Sequence, residues 1–125
     1  MQPAKIVIAD DDRTFRAALR TRLAANNYHV IECPDGLGAL SAARFREVDA
    51  FILDQEMPLG EGRAMAERIR ACSPAPIVFI SGAPADDFRE TVTRLASTYY
   101  FQKPVDTERL LLLLERVLPA TVGSV

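Results

Sequence analysis

Five short apolar segments alternate with helical patterns along the chain, and this alternation constrains the fold more than any other feature of the sequence. The segments span residues 5–9, 28–33, 50–53, 76–80 and 99–102. The first is followed by Phe15, Leu19 and Leu23, which recur at helical spacing, and each later segment is followed by a similar pattern. Repeated strand–helix units with short connections predict a parallel sheet covered by helices on both faces, an α/β fold.

The helical patterns also indicate where each helix begins. They cover residues 12–26, 35–44, 62–71, 86–96 and 106–118. Asp12, Asp35 and Asp106 stand at the start of three of these stretches, where an acidic side chain caps the first backbone N–H groups. Pro119 ends the last pattern.

Length and composition favour one ordinary globular domain. The 125 residues predict a single domain over 1–125, with a core of about 4–119 and a short tail over 120–125. The net charge of −2 argues against direct nucleic-acid binding. Without a signal region or a membrane-length apolar run, we expect a cytoplasmic protein with a true N-terminus at Met1. Cys33 and Cys72 follow no metal-binding spacing and are expected in the core.

Polar residues follow four of the five predicted strands. They are Asp10 to Asp12 after the first, Asp54 after the third, Ser81 after the fourth and Lys103 after the fifth. In open parallel sheets, ligands bind beyond the carboxyl ends of the strands, where the strand order reverses. We therefore expect these side chains to share one site at one edge of the sheet.

The residue types at this edge favour phosphoryl chemistry. Carboxylates held close together raise each other's pKa, and Mg²⁺ removes that conflict because it prefers carboxylate, carbonyl and water oxygens. Asp54 beside such a cation and the Lys103 ammonium is placed to attack a phosphoryl group, and the Ser81 hydroxyl can donate to a phosphoryl oxygen. The predicted product is an acyl phosphate on Asp54.

Each residue also has a plainer interpretation. The three aspartates could serve the start of a helix, Ser81 could belong to a turn, and Lys103 could be a solvated surface charge. Asp54 is the hardest to explain in this way, because an aspartate ending a buried strand is rare. The combination, with one group at each strand end, favours a functional site.

Four stretches resemble the receiver domain of bacterial response regulators, the CheY-like family. They are IVIADDDRTFR at 6–16, FILDQEMPLGEG at 51–62, IVFISGA at 77–83 and YYFQKPVD at 99–106. Their order and spacing match along essentially the whole chain. The resemblance implies a five-stranded parallel sheet of order 2-1-3-4-5 and a phosphoryl-accepting signalling switch. Its phosphodonor would be a histidine kinase or a phosphotransfer protein.

The resemblance also implies the metal ligands. Asp54 would be the phosphoacceptor, and Mg²⁺ would be held by Asp10, Asp11, Asp54 and the backbone carbonyl of Glu56. Beyond its own phosphorylation and dephosphorylation, the domain would catalyse no reaction.

Three further roles follow from the same resemblance. Ser81 would bond to the phosphoryl group and move toward it, Lys103 would pair with the phosphoryl oxygens, and Tyr100 would be the aromatic switch that couples the site to the surface. The Lys103–Pro104 bond is a candidate cis peptide.

The sequence departs from the family pattern near the site. Gly82 stands where alanine usually follows the serine or threonine, and Glu56 adds an acid two residues after the phosphoacceptor. In the family, the positions of Glu56 and Ala83 influence the lifetime of the phosphoryl group.

In the family the signal leaves through helix 4, strand 5 and helix 5, toward a protein partner or an output domain. Five consecutive leucines, 110–114, cannot all face the sheet, and Leu112 is expected to point outward. It is either a harmless exposed leucine or part of a homodimer or partner surface. Arg13, Arg16 and Arg20 are expected on one solvated helix face, with a weaker alternative role in phosphodonor docking.

Three other functions fit the residues less well. A haloacid-dehalogenase-type phosphatase also uses an aspartate nucleophile, but Glu56 does not match its acid–base aspartate and the chain has no room for a cap domain. A flavodoxin-like FMN module would place three aspartates against the phosphate. A non-phosphorylated interaction module would not need the full set of site residues. The sequence leaves open whether the chain is a complete regulator or a fragment.

Overall fold

A computed structural model describes residues 2–56 and 62–118. Within these residues the strands are β1 (Lys5–Ala9), β2 (His29–Cys33), β3 (Ala50–Asp54), β4 (Ile77–Ser81) and β5 (Thr98–Gln102). The helices are α1 (Arg13–Ala25), α2 (Gly36–Phe45), α3 (Gly62–Arg70), α4 (Arg89–Arg94) and α5 (Thr107–Val117). A 3₁₀ helix over Ala85–Phe88 precedes α4.

All strands run parallel in the order β2-β1-β3-β4-β5, which confirms the predicted topology. Ala9 pairs with Leu53, so the residues that follow them, Asp10 and Asp54, lie side by side at the carboxyl edge. Ser81 pairs with Gln102, which places the Lys103 backbone next to the end of β4. The register of the sheet thus assembles the site.

The sheet separates two apolar layers. Alternate residues of β1 belong to opposite layers, with Val7 and Ala9 in the layer packed against α2 and α3, and Ile6 and Ile8 in the layer packed against α1 and α5. Because helices cover both faces, β1, β3 and β4 can be apolar continuously instead of alternating with polar residues.

The predicted acidic caps are confirmed. Asp12 accepts hydrogen bonds from the backbone N–H groups of Thr14 and Phe15, Asp35 accepts from Gly38, and Asp106 accepts from Arg109. Each bond satisfies a donor that the first turn of a helix leaves without an intrahelical partner.

The prediction of one continuous fourth helix over residues 86–96 was wrong. The segment is a 3₁₀ turn followed by a six-residue α4. The Thr98 hydroxyl donates to the carbonyl of Leu95 at 2.8 Å, and Leu95 itself is extended, so the helix ends before the expected residue. Phe88 is fully buried and stacks on Tyr100 with 4.7 Å between ring centroids.

The two cysteines lie in different environments. Cys33 is buried as predicted, whereas Cys72 is exposed after the end of α3. The predicted tail 120–125 lies outside the described residues, and the domain bounds stay a prediction. In the two described ranges, no helix combines the length and apolar character needed to cross a bilayer.

The burial of Phe88 predicts a large stability difference between two apolar truncations. Phe88→Ala should lower the free energy of unfolding by about 3–5 kcal/mol, because it leaves a cavity beside Phe79 and Tyr100. Leu112 is 64% exposed, so Leu112→Ala should lower the free energy of unfolding by less than about 0.5 kcal/mol. Urea unfolding measures both, and equal losses would contradict the packing described for Phe88.

Candidate functional site

Three carboxylates meet at the carboxyl edge of the sheet. One oxygen from each of Asp10, Asp11 and Asp54 lies within 4.8 Å of the others. Asp10 and Asp54 are only 1% and 2% exposed, whereas Asp11 is exposed. The predicted metal-binding aspartates are therefore brought together, with two enclosed by the fold and one facing solvent.

Backbone groups hold the two buried carboxylates in place. The Asp12 N–H donates to Asp10 Oδ1 at 2.8 Å, and the Glu56 N–H donates to Asp54 Oδ1 at 3.1 Å. Each carboxylate accepts from the residue two positions later, at the point where the chain leaves its strand. These bonds orient the side chains and leave the remaining oxygens available to other ligands.

Lys103 supplies the positive charge that the sequence predicted. Its Nζ lies 3.4 Å from Asp54 Oδ1 and 3.7 Å from Asp10 Oδ2. The Lys103 N–H donates to the Ser81 carbonyl at 2.8 Å, which fixes the end of β5 to the end of β4. The Lys103–Pro104 bond is cis, as expected. The ammonium lies over Phe15, 5.3 Å from the ring centroid.

One ammonium does not neutralise two buried carboxylates. Burial and the neighbouring Asp10 charge raise the pKa of Asp54 to about 6, and burial raises the pKa of Asp10. Burial lowers the pKa of Lys103, but the charges of Asp10 and Asp54 outweigh it and the net shift is upward. The site thus holds an excess of negative charge at neutral pH.

The arrangement fits a hard divalent cation. Asp10 Oδ2 is buried and, among the described residues, accepts no hydrogen bond, because the Lys103 ammonium at 3.7 Å lies beyond hydrogen-bond distance. The neighbouring carboxylate of Asp11 faces solvent. Mg²⁺ is bound in this manner, through a few carboxylates together with several waters. The fourth predicted ligand, the backbone carbonyl of Glu56, stays a prediction.

The Ser81 side chain forms a hydrogen bond with Glu56, the residue two positions after Asp54. Its buried hydroxyl donates to Glu56 Oε1 at 3.0 Å and accepts from the Ala83 N–H at 3.0 Å. The Gly82 N–H also donates to Glu56 Oε1, at 3.0 Å. The sequence identified Glu56 as an extra acid but did not predict that its side chain would bind both donors, because the partners are 26 residues apart at most and their contact depends on side-chain torsions.

Arg16 is a second residue whose role the sequence missed. We expected it on a solvated face with Arg13 and Arg20, but its side chain is only 13% exposed and its Nε lies 3.0 Å from Glu32 Oε1. Its Nη1 donates to the Asp10 carbonyl at 2.5 Å. Arg16 on α1 therefore contacts both Glu32 on β2 and the backbone of Asp10, a site residue. The helical pattern alone does not indicate these contacts, which depend on the pairing of β1 with β2.

The predicted coupling residues lie beside the site. The Tyr100 hydroxyl donates to the carbonyl of Ala83, in the loop that follows Ser81. Leu112 points outward, as expected, and contributes to a cavity of about 690 Å³ that residues of α4, β5 and α5 line. Tyr100 contacts both regions, since its ring stacks on Phe88 and it also borders this cavity.

The excess negative charge predicts that removing one buried carboxylate stabilises the metal-free protein. Asp10 and Asp54 have a raised pKa in the folded state, so the folded chain binds more protons than the unfolded chain between about pH 4 and pH 6. Stability should fall as pH rises through this window. In EDTA at neutral pH, Asp10→Asn should raise the Tm by about 3–6 °C.

The exposed Asp11 provides the matched control, because Asp11→Asn should change the metal-free Tm much less. Mg²⁺ should raise the Tm of the unmodified chain more than that of Asp10→Asn. Thermal unfolding followed by circular dichroism measures all of these values. A lower Tm for Asp10→Asn in EDTA would contradict the electrostatic description.

Curated proteins from other organisms are similar to most of this chain. The chain is 32% identical over 110 residues to a protein named probable transcriptional regulator ycf27 from Porphyridium aerugineum, covering 88% of this chain and 46% of the relative. It is 30% identical over 120 residues to response regulator MprA from Mycobacterium sp. (strain KMS), covering 95% and 52%. The chain spans about half the length of these curated relatives.

Solved structures match nearly the whole chain. The chemotaxis response regulator CheY4 of Vibrio cholerae aligns with a TM-score of 0.84 and 28% identity, covering 94% of this chain and all of that one. The receiver domain of the hybrid histidine kinase CckA aligns with a TM-score of 0.78 and 26% identity, covering 93% and 100%.

The sequence of residues 6–115 matches the family model described as response regulator receiver domain. That range includes each of the strand-end residues described above. The chain belongs to the response regulator receiver domain family of two-component signalling.

Proposed function

We propose that the chain is a phosphoryl-accepting switch in which Asp54 takes a phosphoryl group from a histidine kinase or a phosphotransfer protein. The observation that carries this proposal is the buried Asp54 carboxylate, 3.4 Å from the Lys103 ammonium and grouped with Asp10 and Asp11. A buried carboxylate beside a lysine and a cation site is suited to nucleophilic attack on phosphorus.

The chemistry of the transfer follows from these positions. An Asp54 carboxylate oxygen attacks the phosphorus of a phosphohistidine, and the new P–O bond forms as the P–N bond breaks. The imidazole nitrogen leaves with the electron pair of that bond and takes up a proton from solvent. Lys103 offsets charge on the transferring oxygens, and the Ser81 hydroxyl and the Gly82 N–H would donate to the bound phosphoryl group in place of Glu56.

Mg²⁺ would supply the remaining positive charge when it is held by Asp10, Asp11, Asp54 and the backbone carbonyl of Glu56. Two of these aspartates are buried and one oxygen of Asp10 lacks a hydrogen-bond donor among the described residues, which supports this ligand set. The chain's own reactions would then be the formation and hydrolysis of the aspartyl phosphate, with no other substrate.

A groove beside the site suits the phosphodonor. A cavity of about 440 Å³ lies between α1 and the start of α5, and its lining includes Phe15, Leu19, Pro104 and Lys103. A donor helix that packs its apolar side here would hold its phosphohistidine near Lys103 and Asp54. The proposed docking surface is therefore the apolar side of α1, whereas Arg16 and Arg20 are paired with Glu32.

The output would leave through the surface formed by α4, β5 and α5. Movement of Ser81 toward a phosphoryl group would displace the loop whose Ala83 carbonyl accepts from Tyr100, and would bias the position of that ring. Leu112 on this surface would contact a downstream partner, an output domain or a second copy of the chain.

The relatives named transcriptional regulators have about twice this length, which suits an output domain. We place the switch in the cytoplasm, and the net charge of −2 does not suit direct nucleic-acid binding by this domain.

Phosphorylation of Asp54 predicts a single covalent adduct. Incubation with Mg²⁺ and acetyl phosphate should add one phosphoryl group to the intact mass, and the adduct should be labile in base. Asp54→Asn should remove it completely, and EDTA should reduce its rate of formation by at least about 100-fold. An adduct that survives in Asp54→Asn would contradict the assignment of the phosphoacceptor.

The role of Leu112 predicts a specific loss of association. With Mg²⁺ and beryllofluoride, sedimentation velocity should show self-association of the unmodified chain and a monomer for Leu112→Glu, because a buried charge is costly in an apolar contact. Leu37→Glu is the matched control, since Leu37 is also exposed but lies on α2. Association of Leu112→Glu equal to that of the unmodified chain would reject the homodimer surface.

A further inference from the structure

The Glu56 carboxylate occupies two hydrogen-bond donors beside the phosphoacceptor. A single oxygen, Glu56 Oε1, accepts from both the Ser81 hydroxyl and the Gly82 N–H, each at 3.0 Å. Ser81 is fully buried, so its hydroxyl is shielded from bulk water. An anionic oxygen held by a hydroxyl and a backbone N–H is the arrangement that a phosphoryl oxygen would adopt at the same donors.

The strand register shows why the same donors serve both groups. Asp54 on β3 pairs with Ile80 on β4, and Ser81 and Gly82 are the next two residues after Ile80. Glu56 leaves the sheet two residues after Asp54, and its side chain returns across the edge to reach them. A phosphoryl group on Asp54 and the Glu56 carboxylate would thus compete for one short row of donors.

We propose that Glu56 is an internal competitor of the phosphoryl group, whose carboxylate holds Ser81 and Gly82 in the unphosphorylated chain and must leave them when Asp54 is phosphorylated. This inference rests on the proposed function. It makes Glu56 a positioning residue that controls the readiness of the site, since Ser81 cannot donate its one proton to both acceptors.

Electrostatics and the exposure of Glu56 both support its displacement. A phosphoryl group brings further negative charge to a site that already has excess carboxylate, so Glu56 and the phosphoryl oxygens repel each other. Glu56 is exposed and belongs to neither apolar layer. Its carboxylate can therefore turn toward solvent without breaking a contact of the core.

Replacement of Glu56 by two different side chains tests the competition. Glu56→Ala removes the acceptor, and the rate of phosphoryl uptake from acetyl phosphate with Mg²⁺ should rise about tenfold. Glu56→Gln retains an acceptor oxygen without its charge and should give an intermediate rate. Glu47→Ala, an exposed acid before β3 at the opposite edge of the sheet, should leave the rate unchanged.

A second measurement reports on the contact itself without metal or phosphoryl donor. In EDTA, the Gly82 amide proton resonance of Glu56→Ala should move upfield from its position in the unmodified chain, because a charged acceptor has been lost. Glu47→Ala should leave this resonance in place. A Gly82 resonance that does not move in Glu56→Ala would overturn the inference whatever the uptake rates are.

The two proposals can fail separately. If the unmodified chain takes up a phosphoryl group and Glu56→Ala takes it up no faster, internal competition is rejected and the phosphoacceptor assignment stands. If the unmodified chain, Glu56→Ala and Glu56→Gln all form no adduct on Asp54, the proposed function is rejected, and the inference is rejected with it.

Discussion

The structure depends on two buried carboxylates that the fold places side by side. Asp10 and Asp54 leave neighbouring parallel strands at the same height, and backbone N–H groups hold one oxygen of each. Lys103 offsets part of their charge, but the pKa of Asp54 still rises to about 6 because burial and Asp10 oppose its ionisation. Such an arrangement costs stability on its own, and a bound divalent cation offsets that cost. A bound cation would also favour the ionised form of Asp54, which burial and Asp10 oppose.

The connections around this pair explain how a local reaction could alter a distant surface. Lys103 is fixed to the end of β4 by its backbone bond to Ser81. Ser81 in turn contacts Glu56 and the Ala83 N–H, and the Ala83 carbonyl accepts from Tyr100. Under the proposed function, a phosphoryl group that takes the Ser81 hydroxyl from Glu56 would act on this series of contacts at its Ser81 end. The proposed switch therefore needs rearrangement of a few bonds at the carboxyl edge, while the apolar layers stay intact.

The sequence pattern predicted a parallel α/β sheet and the convergence of the strand-end residues, because strand–helix alternation is a local signal, whereas the strand order came from the resemblance to receiver domains. The pattern failed over residues 86–96, where Phe88, Val92 and Leu95 have helical spacing but the Thr98 hydroxyl bond ends the helix early. It also misplaced Arg16 and did not predict the contact of Glu56 with Ser81. Both depend on contacts between residues that lie far apart in the chain, which periodicity cannot report.

If the carboxyl edge of the sheet receives a phosphoryl group on Asp54, as proposed, then a crystal structure with Mg²⁺ and beryllofluoride should show the phosphorylated form of the site. We expect beryllofluoride on the Asp54 carboxylate, fluorines bonded to Ser81 and Gly82 in place of Glu56, and Mg²⁺ against Asp10 and Asp11. A structure in which both groups are bound elsewhere, with Glu56 still on Ser81 and Gly82 beside an unaltered Asp54, would contradict the proposal.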